Sequence, residues 1–225
     1  MIKAVCFDFG GVYRKPDRSD PPWRVRWKYL QKKIGKNISY KLFVEMQNEL
    51  DTGKISLREY YVILSKRVGK KLSPEQVKLY SIPKFKKHEF YKDIPKTVLK
   101  LRKKGYLTPL VSNSVKEFAR LCRKKGYYKI FSTLFISCEM GLTKIDGSIY
   151  RLVFKKLKVK PEECVMIDDN PAYLKSARKL GMITILFKNP NQLKIELRKL
   201  GISLWTENLS AYSLTYNKVI KWEFT

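Results

Sequence analysis

Four short stretches of the chain carry residue types that could do chemistry together. Asp8 ends the apolar run IKAVCF and is followed by the glycine pair Gly10–Gly11. Ser112 and Asn113 close GYLTPLVSN, Lys144 follows EMGLT, and Asp168–Asp169 end ECVMIDD. A nucleophilic carboxylate, a hydroxyl, a lysine and a carboxylate pair are what phosphoryl transfer through an aspartyl-phosphate requires. Asp8 would attack phosphorus. Asp168 and Asp169 would hold Mg2+ together with Asp8, because a hard divalent cation prefers carboxylate and carbonyl oxygen. Lys144 would screen the nucleophile from the incoming phosphate, and Ser112 with adjacent backbone N–H groups would bind its equatorial oxygens. Neighbouring buried carboxylates repel unless a cation lies between them, which favours metal over simple helix capping at Asp168–Asp169.

These residues share one property of placement: each stands at or just beyond a run of strand formers. Residues 2–7, GYLTPLVS, TLFIS, ECVMI and ITILF read as strands, with helical patterns between the later ones. Alternating strand and helix predicts a parallel sheet covered on both faces. Ligands of such sheets bind beyond the carboxyl ends of the strands. Between the first two strands the rhythm is helical throughout. Trp23, Trp27, Leu30 and Ile34 share one helix face, and Phe43, Met46 and Leu50 share another before the turn DTG. Ser56 with Glu59 makes a capping box for a helix directing Leu57, Tyr61, Leu64 and Val68 inward, and Ser73–Pro74 opens a further one. Ser114 with Glu117 reads as a second capping box, ahead of a helix that buries Val115, Phe118, Ala119 and Cys122.

Composition narrows the class. Hydrophobic residues make up 44% of 225, enough for a globular core, and no run is long and apolar enough for a membrane span. The amino-terminal stretch MIKAVCFDFG lacks the features of a cleaved leader, so no signal peptide is expected. Four widely spaced cysteines without a Cys-x-x-Cys pair are expected to be buried thiols in a reducing cytoplasm. The formal net charge is +28. Such a surface attracts polyanions without specificity and speeds capture of phosphorylated substrates. Nucleic acid is therefore a candidate partner, although the lysines are spread along the chain and no zinc-finger or aromatic–basic RNA-binding pattern accompanies them.

Taken in order, these motifs resemble those of the haloacid dehalogenase (HAD) superfamily. DFGGV resembles its first motif (Asp-x-Asp-Gly-Thr/Val), LVSNS the second, GLTKIDGSIY the third and VMIDDNPAYLKSARKLGM the fourth. The phrase ELDTGKISLREYYVIL is similar to one in the family's helical (C1-type) caps. The resemblance implies an α/β fold: a Rossmann-like three-layer core of residues 1–15 and 94–202, an inserted all-helical cap over 16–93, and a carboxyl-terminal extension over 203–225. It implies a Mg2+-dependent phosphatase of a small phosphorylated metabolite, with Asp8 and Lys144 catalytic and Gly11, Ser112, Asn113 and Lys144 binding phosphate. The metal ligands would be Asp8, Asp168, Asp169 and the Gly10 carbonyl.

Three departures from the family pattern stand out. Gly10 occupies the place of the second aspartate, which in family phosphatases protonates the leaving group and later activates water. A glycine keeps the carbonyl but removes that acid/base, a contribution of typically 10²–10⁴-fold, so activity is expected to be slow or confined to activated phosphate esters. Ile145 replaces a proline after the lysine and is expected to loosen that loop. Tyr173 stands where relatives have asparagine, which removes one supporting hydrogen bond. A C–P bond hydrolase and a non-catalytic phosphate- or nucleic-acid-binding protein are the alternatives. His88, in KFKKHEF, is expected at the surface.

Overall fold

The computed structural model describes residues 1–16, 23–34, 38–81 and 90–204. His88 and most of the expected carboxyl-terminal extension lie outside these residues.

Five strands form one parallel sheet in the order β3-β2-β1-β4-β5. They are β1 Ala4–Phe7, β2 Leu110–Ser112, β3 Leu134–Ile136, β4 Cys164–Asp168 and β5 Ile183–Leu186. Their apolar runs are continuous because both faces are covered. The two-residue period divides β1 cleanly. Val5 and Phe7 join a core with Ile94, Val98 and Leu101 of α5 (Asp93–Lys103) and Leu193 and Leu197 of α10 (Pro190–Lys199). Ala4 and Cys6 face the other way, onto Ile149, Tyr150 and Val153 of α8 (Ser148–Leu157) and Leu174 and Ala177 of α9 (Pro171–Lys179). Each fully buried large side chain, Phe7 for example, contributes about 1.5–3 kcal/mol through removal from water. All four cysteines are free and buried. No helix among the described residues is long and apolar enough to cross a membrane.

Among the described residues, four helices lie between β1 and α5: α1 Trp23–Lys33, α2 Tyr40–Asp51, α3 Leu57–Arg67 and α4 Pro74–Ser81. The first three build a core of their own that includes Leu30, Phe43, Met46, Leu50, Tyr60 and Leu64, joined by Ile34 just after α1. Tyr60, absent from the expected inward set, is buried, whereas Tyr61 is only partly covered. The Ser56 capping box forms in full: Glu59 N–H donates to Ser56 Oγ at 3.2 Å and Ser56 N–H to the Glu59 carboxylate at 2.7 Å.

The Ser114–Glu117 box does not form. Helix α6 (Lys116–Lys124) starts at the N-cap Val115 without a side-chain cap. Glu117 instead accepts from the Leu57 N–H at 3.1 Å, and Ser114 N–H donates to Ser137 Oγ at 2.9 Å. The carboxylate serves the amino end of α3 rather than that of its own helix, tying the helical insert to the sheet layer. Gly53 makes a second tie. Its φ is +70°, and a Cβ there would lie 2.3 Å from the Cys138 carbonyl oxygen of α7 (Ser137–Met140), so only glycine admits this approach.

Candidate active site

The strand register brings the chemical residues to one edge. Phe7 pairs with Ile167 and with Leu110, so Asp8, Asp168 and Ser112 all emerge at the carboxyl ends of adjacent strands. Asp8 N–H donates to the Ile167 carbonyl at 2.9 Å, continuing the ladder one residue past the strand. The chain then closes a tight loop, with Tyr13 N–H and Arg14 N–H both donating to the Phe9 carbonyl. Phe9, nearly fully buried, anchors that loop by edge contacts with Tyr13, Phe90, Phe118 and Tyr128.

Lys144 is the centre of the constellation. It is 1% exposed, and its Nζ lies 2.8 Å from Asp8 Oδ1 and 2.6 Å from Asp168 Oδ2. Burial alone would lower the ammonium's pKa, but Asp168 and Asp8 outweigh it and hold the group well above its ordinary value. The aspartates shift the other way: burial pushes Asp8 up to about 7, against the pull of Lys144 and with the push of Asp168. Asp168 is likewise raised by burial, while Lys144 and the Asn170 N–H, which donates to its Oδ1 at 2.8 Å, oppose the rise.

Asp169 completes the acidic group. Asp8, Asp168 and Asp169 each offer a carboxylate oxygen within 4.8 Å of the others. Gly11 makes this possible. Its φ is +79°, and a Cβ on it would lie 2.1 Å from Asp169 Oδ2, inside the carboxylate. The donor set fits a hard divalent cation. Burial raises Asp8 and Asp168, and the neighbouring carboxylate adds to the rise in each, so a divalent cation among the three would stabilise their charged forms. Asp169 itself is exposed rather than buried beside Asp168.

The remaining expected residues divide. Asn113 is drawn in: its Oδ1 accepts from the Lys144 N–H at 3.1 Å, and its Nδ2 donates to Asp51 Oδ2 at 3.4 Å. Ser112 is 3% exposed, its hydroxyl turned toward the Asn113 carbonyl at 3.4 Å. The Gly11 N–H donates to the Arg14 carbonyl at 2.8 Å, so in this conformation it closes the loop rather than facing a ligand. Ile145 does not loosen its loop. Ser176 Oγ donates to the Ile145 carbonyl at 2.6 Å, and Thr143, Asp146 and Ser148 bind one another around the turn. Tyr173 replaces a lost hydrogen bond with a ring: Lys144 Nζ lies 4.6 Å from its centroid, and Tyr150 Oη donates to its carbonyl at 3.2 Å.

Two neighbours escaped the sequence reading. Asp51, at the end of α2, is buried and bonded to Gln47 Nε2 at 2.7 Å, reaching the edge from the helical insert. Arg14 is also buried, four residues beyond Gly10. The turn phrase around Asp51 was the available signal for the first; no pattern marks the second.

Comparison with known proteins bears on the family and the fold. The family model of haloacid dehalogenase-like hydrolases matches residues 2–181. The bifunctional epoxide hydrolase 2 of Sus scrofa is 36% identical over 115 residues, 47% of this chain and 20% of that protein. The chain thus spans about a fifth of the length of the epoxide hydrolases it matches. The glyceraldehyde 3-phosphate phosphatase of Methanopyrus kandleri is 27% identical over 208 residues, covering 88% of this chain and 89% of that one. Among solved structures, a HAD family enzyme from Bacteroides thetaiotaomicron in complex with magnesium is 26% identical, with a TM-score of 0.59 over 84% of this chain and 94% of that one. A HAD-like hydrolase from Porphyromonas gingivalis, 24% identical, shares the fold with a TM-score of 0.62 over 89% of this chain and 98% of that one.

Proposed function

The chain belongs to the haloacid dehalogenase-like hydrolase family, and from that premise we propose that it is a Mg2+-dependent phosphatase of a small phosphorylated metabolite, working through an aspartyl-phosphate on Asp8. One observation carries the reading: the buried Lys144 ammonium bridges Asp8 and Asp168 at 2.8 and 2.6 Å, beside Asp169. A relative aligned over most of its length is named as a phosphatase, which supports the same class.

Mg2+ would be held by Asp8, Asp168, Asp169 and the Gly10 carbonyl, and when bound would offset phosphate charge and polarise the phosphoryl group. The chain's own residues do the rest. Lys144 fixes one Asp8 oxygen, leaving the other to attack phosphorus, and its charge offsets the dianion that approaches. Ser112 Oγ and Asn113 receive the phosphoryl oxygens, with Asn113 also holding the Lys144 backbone. Asp168 keeps Lys144 in line, and the Asn170 N–H keeps Asp168 in place. Water then attacks phosphorus of the aspartyl-phosphate and returns Asp8.

Gly10 stands in place of an acid/base aspartate, so the reading favours activated phosphate esters or slow turnover. Residues 16–93 act as a cap of the helical type, entering the site through Asp51 and selecting the substrate. The +28 charge draws phosphorylated compounds, and polyanions generally, toward the edge.

Turnover of p-nitrophenyl phosphate or acetyl phosphate with Mg2+ tests this. Activity is expected to disappear with chelator and in Asp8→Asn. Equal rates in Asp8→Asn would remove Asp8 as nucleophile, and hydrolysis indifferent to chelator would remove the metal.

A further inference from the structure

Gly10 has no side chain, yet the direction that one would take leads to a charged group. A Cβ built on Gly10 would meet Arg14 Nη2 at 3.9 Å and, its two chain neighbours aside, no other heavy atom of the described residues within 4 Å. Arg14 is 8% exposed. Its backbone is tied on both sides: its N–H donates to the Phe9 carbonyl at 2.8 Å, its carbonyl accepts from Gly11 N–H at 2.8 Å, and it forms β-bridges with Gly10 and Phe90. Its guanidinium carbon lies 5.2 Å from the ring centroid of Phe118 on α6, the helix that follows Ser112–Asn113. The cation therefore sits between the loop that carries Asp8 and the helix that follows β2.

From this juxtaposition, a side-chain-free Gly10 facing a buried guanidinium between those two elements, we infer that Arg14 receives the leaving-group oxygen as it departs. The inference rests on the phosphatase reading of the same site and narrows its substrates. These are phosphate compounds whose leaving group departs as an anion: acyl, enol or aryl phosphates. A guanidinium does not release a proton in proteins, so it acts by charge and by its fixed N–H fork rather than as an acid.

The step balances without a proton donor. An Asp8 oxygen forms a bond to phosphorus while the bond from phosphorus to the leaving oxygen breaks. That oxygen keeps the electron pair and leaves as an anion against Arg14. Water then attacks the aspartyl-phosphate, Asp8 is released as carboxylate, and the water's proton passes to the phosphate product and solvent.

The test is kcat/KM, with Mg2+, for substituted phenyl phosphates whose leaving groups span a range of acidity. Wild type, Arg14→Met, Arg14→Lys, Gly10→Asp and Asp8→Asn are compared, each checked for folding by circular dichroism. Arg14→Met is expected to lose about 10²-fold on the least acidic leaving group and progressively less on more acidic ones, because charge on the departing oxygen is greatest for the former. Arg14→Lys, which keeps the charge, retains the wild-type dependence with a smaller loss, and decides the matter should Arg14→Met not fold. Gly10→Asp places a carboxylate against the guanidinium and is expected to steepen the dependence as Arg14→Met does. Equal losses across the series, no loss, or faster turnover of the least acidic leaving groups in Gly10→Asp overturn the role of Arg14. A wild type inactive on every substrate, or turnover that survives Asp8→Asn, overturns the phosphatase reading itself.

Discussion

The loops after β1 and β4 leave neighbouring parallel strands in register, each delivering a carboxylate to the same ammonium, yet they are built differently. The β4 loop is held by a helix: Asp168 accepts from the Asn170 N–H, and Asn170 caps α9 by accepting from the Ala172 N–H at 2.9 Å. Pro171 at the first helical position fixes the turn. The β1 loop has no such helix. It is closed by two N–H donors on the Phe9 carbonyl, by buried aromatic rings and by the room that Gly11 leaves for Asp169. The contrast places rigid charge geometry on the β4 side and room for variation on the β1 side. Gly10 and Arg14 lie on that variable side.

The sharpest way to break the comparison is to remove the cation both loops share. Lys144→Met leaves buried carboxylates without their partner and is expected to cost about 3–5 kcal/mol, read as a drop in chemical-denaturation stability in chelator. A variant as stable as wild type would mean that the two loops do not depend on that ammonium.

Next in size is the pH dependence of the β1 carboxylate. In the folded, metal-free protein Asp8 is raised from 3.8 to about 7 by burial, so the folded state binds more protons than the unfolded state between those values. Stability contributed by Asp8 is therefore present at low pH and falls as pH rises through that window. Asp8→Asn removes the titration. In chelator its melting temperature is expected to rise relative to wild type as pH goes from about 4 to about 7. A difference that is flat with pH would contradict the shift.

Gly11→Ala tests the close approach of the two loops. It combines a left-handed φ with overlap on the Asp169 carboxylate, and about 1–3 kcal/mol of lost stability is expected. Mg2+ affinity by calorimetry should fall with it, because Asp169 is displaced; unchanged affinity would separate Asp169 from the metal. The smallest effect belongs to the β4 side. Asn170→Ala removes a helix cap and is expected to cost about 1 kcal/mol, measured by denaturation. A loss as large as that of Lys144→Met would show that the β4 loop is no firmer than the other.

How much of this was readable without coordinates follows the same division. Strand-end residues were legible because position along an apolar run fixes where a side chain emerges from a parallel sheet: Asp8, Ser112 and Asp168 reach one edge through register alone. Lys144 and Asn113 were placed by motif order, and their mutual hydrogen bond only by the fold. Contacts between the insert and the sheet were not legible. Glu117 matches a capping box in sequence but accepts from the Leu57 N–H, sixty residues away, because tertiary proximity outcompeted the local bond. Asp51 and Arg14 follow the same logic. One is brought in by the end of α2, the other by a loop closing on itself, and neither leaves a periodic trace. Tyr173 was read as a lost hydrogen bond, whereas its ring faces Lys144.

The central claim is that Asp8 carries the phosphoryl group. Acid quench during turnover of p-nitrophenyl phosphate with Mg2+, followed by mass spectrometry of the Asp8 peptide, tests it most directly. The account predicts an acid-stable, base-labile phosphate on Asp8 that is absent in Asp8→Asn. Turnover with no phosphate on that peptide, or the same phosphate bound to another residue, would contradict it.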